Sequence, residues 1–326
     1  MSELSLVHEI TKLKQERNAI ILAHNYQRPE VQDIADFVGD SLGLSMQAAR
    51  TDAEVIVFCG VYFMAETAKI LSPAKTVLIP DPSAGCPLAQ MITVDDVRVL
   101  KQRHPEARTL CYVNTTAAVK AECDLCCTSA NAVAVIESLP QDDRPLIFVP
   151  DKYLAGYAAR QTGREIIAGG GYCPSHVKIL AEDILRLKAA HPRARVVVHP
   201  ECTPEVQALA DTIASTEGMC RDVKRSDAAE FIIGTEAGMV YRLRKENPGK
   251  TFFPASGLAL CPNMKRCTVE KVRGALTNNQ YEVDVPEHII EKARKSLAYM
   301  MSLTAPAGGV RLAAVTSPVN LSSPGI

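Results

Sequence analysis

Short apolar runs rich in β-branched residues alternate with amphipathic helical patterns along the whole chain. This alternation is typical of parallel sheets covered by helices, because a crossover connection must return the chain to the same edge before each new strand. The predicted strands are 20–23, 55–59, 76–79, 109–113, 146–149, 196–198, 231–233 and 251–253. The predicted helices are 4–17, 30–38, 65–71, 94–103, 177–190 and 205–213. We therefore expect an α/β fold.

The pattern also repeats with a period of about 87 residues. One segment, in which a helix ends and a strand follows, begins with a Leu-Lys pair at Leu13, and similar segments start at Leu100 and Leu187. Polar side chains follow each of these strands, and a hydroxyl residue lies 17 positions beyond the first of them. The polar pairs are His24 with Tyr26, Tyr112 with Asn114, and His199 with Glu201; the hydroxyl residues are Ser41, Ser129 and Thr216. The period predicts three copies of one unit, with strand ends that face a common cavity around a pseudo-threefold axis.

Three cysteine-proline pairs keep the same period. Cys86, Cys173 and Cys261 each precede a proline and are separated by 87 and 88 residues. Each lies in a loop, 61 or 62 residues beyond the first member of a polar pair. We interpret these cysteines as thiolate ligands that converge on one metal cluster, one from each unit.

The repeat also predicts the domain organisation. Three α/β repeats are expected over residues 1–90, 91–178 and 179–265. A helical segment over 266–303, with a helix at 268–276, is expected to pack back on the first repeat. Residues 304–326 are rich in Gly, Pro and Ser and are predicted to form a flexible tail.

Composition and charge indicate which kinds of molecule this protein binds. The 326 residues carry a formal net charge of −1 with no basic block, which argues against nucleic acid and anionic membranes. The amino terminus lacks the pattern of a signal peptide, and no apolar run reaches the roughly 20 residues of a membrane span. We expect a cytoplasmic protein that acts on a small metabolite. In a reducing compartment its eleven cysteines are expected to be thiols or metal ligands.

The other cysteines have simpler interpretations. Cys59, Cys111, Cys202 and Cys220 lie in or beside strand and helix patterns and are expected to be small buried side chains. Cys123 and Cys126 form a C-x-x-C next to Cys127, without a second C-x-x-C to complete a zinc site; Cys267 is the remaining thiol. Structural thiols and a redox-sensitive pair both remain open for this group.

The thiol set suggests a type of chemistry. A 4Fe-4S cluster held by three cysteines leaves one iron open to a substrate oxygen or nitrogen, where it acts as a Lewis acid. The strand-end imidazoles, phenols, carboxylate, amide and hydroxyls suit proton transfer and the binding of carboxylate or phosphate. His176 follows Cys173 by three residues, and it either lines this site or caps the next helix.

Several motifs resemble those of the quinolinate synthase (NadA) family over residues 4–298. They are AHNYQ from Ala23, GDS from Gly39, YVN from Tyr112, CTSAN from Cys127, C-x-x-H from Cys173, HPE from His199, STEGM from Ser215 and C-x-x-M-K from Cys261. The resemblance implies three α/β domains around a central 4Fe-4S cluster on Cys86, Cys173 and Cys261. Cys123, Cys126 and Cys267 have no counterpart in the motifs.

The resemblance also implies the reaction and its partners. Iminoaspartate would condense with dihydroxyacetone phosphate to give quinolinate, phosphate and water in the de novo biosynthesis of NAD. An aspartate oxidase or dehydrogenase would supply the imine and could be functionally coupled to this protein.

Residue roles follow from the matched motifs. Tyr26 with His24 is similar to the group that moves protons during isomerisation of the triose-derived part. His199 and Glu201 resemble the pair that acts on later intermediates, with Glu201 as the base. The positions that match substrate-binding residues are Ser41, Tyr112, Asn114, Ser129, His176, Ser215 and Thr216.

Two other functions remain as alternatives. A radical iron-sulfur enzyme of the diphthamide-synthesis type also uses three cysteines from three related domains, and it would cleave S-adenosylmethionine. A metal-binding regulatory module would instead depend on Cys123, Cys126 and Cys127, so their replacement would abolish metal binding.

Overall fold

A computed structural model of the chain describes residues 3–140, 142 and 144–303. Within these residues, twelve strands form three sheets of four strands each, and all strand pairs within the sheets are parallel. The strands are β1 (Ala19–His24), β2 (Phe37–Gly39), β3 (Val55–Cys59), β4 (Thr76–Leu78), β5 (Arg108–Tyr112), β6 (Leu125–Cys127), β7 (Leu146–Val149), β8 (Ile166–Ala168), β9 (Arg195–Val198), β10 (Thr212–Ile213), β11 (Glu230–Gly234) and β12 (Thr251–Pro254).

The three sheets have the same strand order. The first is β2-β1-β3-β4, the second β6-β5-β7-β8 and the third β10-β9-β11-β12. In each sheet the first strand of the unit lies beside the third, and the second strand forms an edge. The chain is therefore an α/β protein made of three similar units, as the repeat predicts. The repeat boundaries at residues 90, 178 and 265 stay predictions.

Helices connect the strands. They are α1 (Glu3–Glu16), α2 (Pro29–Ile34), α3 (Ser41–Arg50), α4 (Tyr62–Leu71), α5 (Val94–Arg103), α6 (Ala117–Glu122), α7 (Ala132–Glu137), α8 (Lys152–Thr162), α9 (Ala181–Ala190), α10 (Pro204–Gln207), α11 (Thr216–Arg225), α12 (Met239–Glu246), α13 (Val269–Asn278) and α14 (Glu287–Ser302). Short 3₁₀ turns lie at Leu88–Gln90, His176–Lys178 and Met264–Arg266. None of the helices that the structure describes combines the length and the apolar character of a membrane span.

Two predicted helices are wrong in their second halves. The predicted helices 30–38 and 205–213 end at Ile34 and Gln207, and edge strands follow them. The apolar spacing fits a helix, but an aspartate before each edge strand bonds to the neighbouring strand. Asp36 Oδ2 accepts from Ile21 N at 2.8 Å, and Asp211 Oδ2 accepts from Val196 N at 2.7 Å. Because this pairing satisfies backbone groups of the central strand, it overrides the local helical pattern.

The same aspartate occurs in the middle unit. Asp124 Oδ2 accepts from Thr109 N at 2.8 Å, at the start of β6. The predicted helix 177–190 also begins late, because a 3₁₀ turn occupies His176–Lys178 and α9 begins only at Ala181.

The C-terminal helical segment divides between two units. Helix α13 packs on α1, and Arg17 Nη1 donates to Leu276 O at 2.5 Å. Helix α14 packs mainly on α6 and β6 of the second unit, where Ser296 Oγ donates to Lys120 O at 3.3 Å. Helix α14 also contacts α4 of the first unit, and the predicted packing of the whole segment on the first repeat stays a prediction. The predicted tail, 304–326, lies outside the described residues.

Candidate active site

The carboxyl ends of strands from all three sheets border one cavity, with about 650 Å³ of empty space when the open solvent at its mouth is included. Every site residue predicted from the sequence lines this cavity except Ser215. The lining residues among them are His24, Tyr26, Ser41, Cys86, Tyr112, Asn114, Ser129, Cys173, His176, His199, Glu201, Thr216 and Cys261. Three segments that are distant in sequence thus meet at the edge where open α/β sheets bind ligands.

The three cysteine-proline pairs adopt equivalent turns. A 3₁₀ turn follows each pair, and backbone N–H groups two and three residues beyond each cysteine donate to its sulfur and lower the thiol pKa. The donors are Leu88 and Ala89 for Cys86, Ser175 and His176 for Cys173, and Asn263 and Met264 for Cys261. Proline at the intervening position has no N–H, so it starts the turn without leaving a donor unpaired. The Cys-Pro motif therefore places each cysteine sulfur where two backbone N–H groups can donate to it.

These turns bring three thiols to the same cavity. Burial, together with the neighbouring Cys261, raises the pKa of Cys86 to about 12; burial also raises the pKa values of Cys173 and Cys261. Without a metal the three groups are therefore thiols, and a soft metal would displace their protons. Three sulfur donors with amide N–H support fit an iron-sulfur cluster that has one iron without a cysteine ligand.

Two strand-end loops share one local geometry. Nδ1 of His24 accepts from Tyr26 N at 3.1 Å, and Nδ1 of His199 accepts from Glu201 N at 3.3 Å. The neutral imidazoles therefore carry their protons on Nε2, and Nε2 of His199 lies 3.2 Å from Ser129 Oγ. Burial lowers the pKa of both histidines to about 3, so both are neutral over the physiological range.

Two buried glutamines hold these loops in place. Gln32 Nε2 donates to Asn25 O at 3.1 Å and to Gln27 O at 3.0 Å, on either side of Tyr26. Gln207 Nε2 donates to the carbonyls of Pro200 and Cys202, at 2.9 and 2.7 Å, around Glu201. The sequence interpretation missed both glutamines, although the repeated PEVQ at 29–32 and 204–207 carried the signal.

Tyr26 lies in a small hydrogen-bonded group. Its hydroxyl lies 2.5 Å from Thr235 Oγ1 and 3.4 Å from His176 Nε2, and Thr235 Oγ1 lies 2.8 Å from the same nitrogen. Burial, with the charge of Glu201, raises the pKa of Tyr26 well above its usual value. Tyr26 is therefore protonated, which suits a proton donor. Thr235 was missed because it follows β11, the second central strand of its unit, whereas the repeated polar pairs follow the first.

Glu201 is the buried carboxylate on the opposite side of this group. Its Oε2 lies 2.8 Å from His176 Nδ1, and its Oε1 accepts from Asn114 Nδ2 at 3.4 Å. Burial alone would raise its pKa, but the contacts with His176 and His199 outweigh burial and lower it. Burial and the charge of Glu201 raise the pKa of Tyr112 well above its usual value. The cavity thus combines an ionised carboxylate with protonated phenols.

A second buried carboxylate supports the third cysteine turn. Glu236, whose side chain is fully buried, accepts from Cys261 N at 3.1 Å and Gly238 N at 2.7 Å. It also forms an ion pair with Lys265 at 3.0 Å, and Lys265 Nζ donates to the carbonyl oxygen of Tyr26. One ion pair thus joins the Cys261 turn to the loop that carries Tyr26. Glu236 was missed for the same reason as Thr235.

Ser215 does not line the cavity. Its hydroxyl accepts from Gly218 N at 3.2 Å as the cap of α11 and donates to Asp40 Oδ2 at 3.2 Å. Asp40 is in turn the cap of α3 and lines the cavity. Thr216, the first residue of α11, accepts from Asn25 Nδ2 at 2.7 Å. Ser215 therefore supports the cavity wall from behind.

The remaining cysteines lie in the cores. All eleven cysteines are free thiols, and the four that were expected to be buried are buried: Cys59, Cys111, Cys202 and Cys220. Cys123, Cys126 and Cys127 are buried in the same core as Cys111. Within the residues that the structure describes, these three do not form a group with the spacing of a metal site.

Comparison with known proteins identifies relatives over nearly the whole chain. The family model described as quinolinate synthetase A protein (NadA) matches residues 8–302. The chain is 57% identical over 294 residues to a quinolinate synthase of Dehalococcoides mccartyi strain CBDB1, covering 90% of this chain and 97% of that protein. It is 55% identical over 298 residues to the quinolinate synthase of Thermodesulfovibrio yellowstonii, covering 91% and 98%. It is 54% identical over 298 residues to that of Methanoregula boonei, with the same coverage.

Proposed function

This chain belongs to the quinolinate synthase family, and we propose that it condenses iminoaspartate with dihydroxyacetone phosphate to quinolinate. Phosphate and water are released, and the product feeds NAD biosynthesis. The proposal includes a 4Fe-4S cluster held by Cys86, Cys173 and Cys261. The observation that carries it is the meeting of these three thiols with the strand-end acid-base groups in one cavity.

The donor set supports the cluster. Three equivalent turns each present a sulfur that accepts two backbone N–H groups, and three sulfurs leave one iron of a cubane without a cysteine ligand. When bound, such a cluster supplies a Lewis acid that binds a substrate heteroatom and favours the loss of water.

The protein's own groups supply the proton transfers. Tyr26, kept protonated by burial, donates a proton to the triose-derived part, with neutral His24 beside it. Glu201, kept ionised by its imidazole neighbours, removes a proton from later intermediates, and His199 lies within 3.5 Å of its carboxylate. These opposite states allow acid and base catalysis in one cavity at neutral pH.

The substrate anions require donors. Ser41 and Thr216 are the first residues of two ten-residue helices, α3 and α11, and both line the cavity. Helix amino-termini favour phosphate and carboxylate, so these two positions orient the charged ends of the substrates. Tyr112, Asn114 and Ser129 of the second unit line the cavity and would donate hydrogen bonds to the substrates, and His176 lines the cavity beside them. Ser215 acts through Asp40 and α11.

The instability of iminoaspartate indicates which enzyme must act beside this protein, and the free thiols indicate the compartment. Iminoaspartate hydrolyses readily in water, so an enzyme that oxidises aspartate must supply it nearby, and functional coupling to an aspartate oxidase or dehydrogenase follows. Free cavity thiols require a reducing compartment, which favours the cytoplasm.

An anaerobic assay tests the proposal. Purified protein is mixed with aspartate, an aspartate-oxidising enzyme and dihydroxyacetone phosphate, and quinolinate and iron are quantified on the same sample. We expect quinolinate and about four irons per chain. Replacing any one of Cys86, Cys173 or Cys261 by serine should lose the iron and the product, whereas Cys220→Ser, a buried thiol outside the cavity, should keep both. Iron retained after two of the three cavity replacements would contradict the cluster assignment.

Neither alternative function gains support. Cleavage of S-adenosylmethionine would not require so many acid-base groups around the thiols. A regulatory module built on Cys123, Cys126 and Cys127 would need these buried thiols to form a metal site, and the described residues do not group them that way.

A further inference from the structure

Cys173, His176 and Glu201 form a compact group of three different donors. Their sulfur, ring nitrogen and carboxylate oxygen all lie within 4.8 Å of one another, and His176 and Glu201 are buried. No other group of three such ligands in the described ranges meets this spacing. Sulfur, imidazole and carboxylate together are a donor set that suits zinc-like divalent cations.

The imidazole is oriented for a ligand on its Nδ1 side. Nε2 of His176 lies 2.8 Å from Thr235 Oγ1, and this contact holds the ring with Nδ1 facing Glu201. Nδ1 is buried and lies 2.8 Å from Glu201 Oε2, so one cation could contact both atoms. It has no hydrogen-bond partner in the part of the chain that the structure describes. An unpaired buried nitrogen is costly, and a cation shared with the carboxylate would satisfy it.

The other two donors are also supported from behind. Glu201 Oε1 accepts from Asn114 Nδ2 at 3.4 Å, which leaves Oε2 for the cation. Cys173 accepts backbone N–H groups from Ser175 and His176, which stabilise a thiolate. A thiolate and a carboxylate together carry two negative charges, so a divalent cation would make the buried site neutral.

We propose that the cluster-free protein binds one zinc-like divalent cation through Cys173 Sγ, His176 Nδ1 and Glu201 Oε2. Binding releases the thiol proton of Cys173 to solvent and forms one metal-sulfur bond. The regulatory consequence rests on the proposed function: the cluster needs Cys173, so the cation and the cluster exclude each other. Zinc bound before iron and sulfide are added would therefore block cluster assembly.

Cobalt binding to the cluster-free protein tests the site, because Co²⁺ takes zinc sites and its absorption reports the sulfur ligand. We expect one Co²⁺ per chain, a sulfur-to-cobalt charge-transfer band, and displacement of Co²⁺ by Zn²⁺. Cys173→Ser should abolish the band, and Glu201→Gln should weaken binding by at least about 100-fold. Thr235→Val, which removes the hydroxyl partner of His176 Nε2, should weaken binding by about 10- to 100-fold.

The other cavity thiols provide matched controls. Cys86→Ser and Cys261→Ser should bind Co²⁺ as the parent protein does, although each should lose the iron-sulfur cluster. If these two variants lose Co²⁺ as completely as Cys173→Ser, the cation sits among the three thiols and the proposed site is wrong. Unchanged Co²⁺ binding in Glu201→Gln, with circular dichroism like that of the parent, would also overturn it. The quinolinate assay fails or succeeds independently, because the cobalt titration uses no substrate and no cluster.

Discussion

Individual groups in the cavity are held in different protonation states by burial and by their neighbours. Burial keeps Tyr26 protonated and both His24 and His199 neutral, whereas Glu201 stays ionised beside its imidazole partners. The sequence predicted which residue types would meet, because their spacing repeats. It could not predict these states, since each depends on side chains of other units. Thr235, which contacts Tyr26 from the third sheet, is the clearest example.

Removal of the Tyr26 hydroxyl tests whether this side chain is the general acid. Tyr26→Phe should keep the iron content and lose quinolinate formation by at least about 100-fold, because it removes the proposed proton donor and keeps the ring that fills the space. Tyr241→Phe is the matched control: its hydroxyl donates to Asp33 at 2.6 Å on an exposed surface, and its loss should leave turnover intact. Iron and initial rates are measured on the same samples. Turnover unchanged in Tyr26→Phe would remove this residue from the mechanism.

The neutral histidines predict how stability depends on pH. The folded pKa of His199 is about 3, below the value of about 6.5 expected in the unfolded chain. The unfolded state therefore binds more protons in this window, and stability is lost as pH falls below about 6.5. Between pH 7 and 5.5 the loss is about 1 kcal/mol for one such histidine. The free energy of unfolding of His199→Gln should therefore fall by about 1 kcal/mol less between pH 7 and pH 5.5 than that of the parent protein. Urea unfolding of the cluster-free protein measures this difference.

Exposed His8 on α1 supplies the control for this measurement. His8→Gln should keep the full pH dependence, because this side chain is surrounded by solvent in both states. An identical slope in His199→Gln and the parent protein would show that His199 is not held neutral.

At the scale of secondary structure, all central strands were predictable, whereas four of the six edge strands were not. All eight predicted strands are present, and the four that were missed, β2, β6, β8 and β10, have two or three residues each. Such short strands carry too little pattern to distinguish them from the end of a helix. Two of them follow the helices that were predicted too long. Their position depends on Asp36 and Asp211, which bond to another strand, so local periodicity alone could not reveal them.

A glycine at the start of α12 tests how the third cysteine turn is supported. A Cβ on Gly238 would lie 2.5 Å from Lys265 Nζ and 2.7 Å from Glu236 Oε2. Gly238→Ala should therefore displace this ion pair and destabilise the protein by roughly 1–3 kcal/mol. Because Glu236 also accepts from Cys261 N, iron content should fall with stability. Urea unfolding and iron analysis measure the two effects.

Gly249 is the matched control, because a Cβ there would meet no atom within 4 Å. Gly249→Ala should leave iron content unchanged. If Gly238→Ala lost stability but kept all of its iron, the ion pair would support the fold without positioning Cys261.

At the scale of the whole molecule, the 87-residue period was the decisive sequence feature. It predicted three similar units and a common cavity, and the structure has three sheets of identical strand order around one. The ion pair of Glu236 with Lys265, which reaches the Tyr26 loop, joins residues that do not belong to the repeated pattern. The symmetric part of the site was therefore predictable, and the part that breaks the symmetry was not.

Because each unit contributes one thiol to the cavity, we expect cluster binding to stabilise the folded arrangement of all three units at once. Cys86, Cys173 and Cys261 come from turns in different units, so a ligand that binds all three joins them and stabilises only the folded arrangement. Amide hydrogen exchange should slow by at least about 10-fold at Leu88–Gln90, His176–Lys178 and Met264–Arg266 when the cluster is assembled. Helix α5, which is mostly exposed and outside the cavity, should keep its exchange rates.

The coupling between units is tested by removing one thiol. Cys173→Ser treated with iron and sulfide should show the fast exchange of the cluster-free protein at all three turns, including the two whose cysteines are intact. This result is expected if the proposed cluster requires all three sulfurs, because the loss of one ligand then releases the others. Protection that persisted at Leu88–Gln90 and Met264–Arg266 in this variant would show that two units hold the iron without the third.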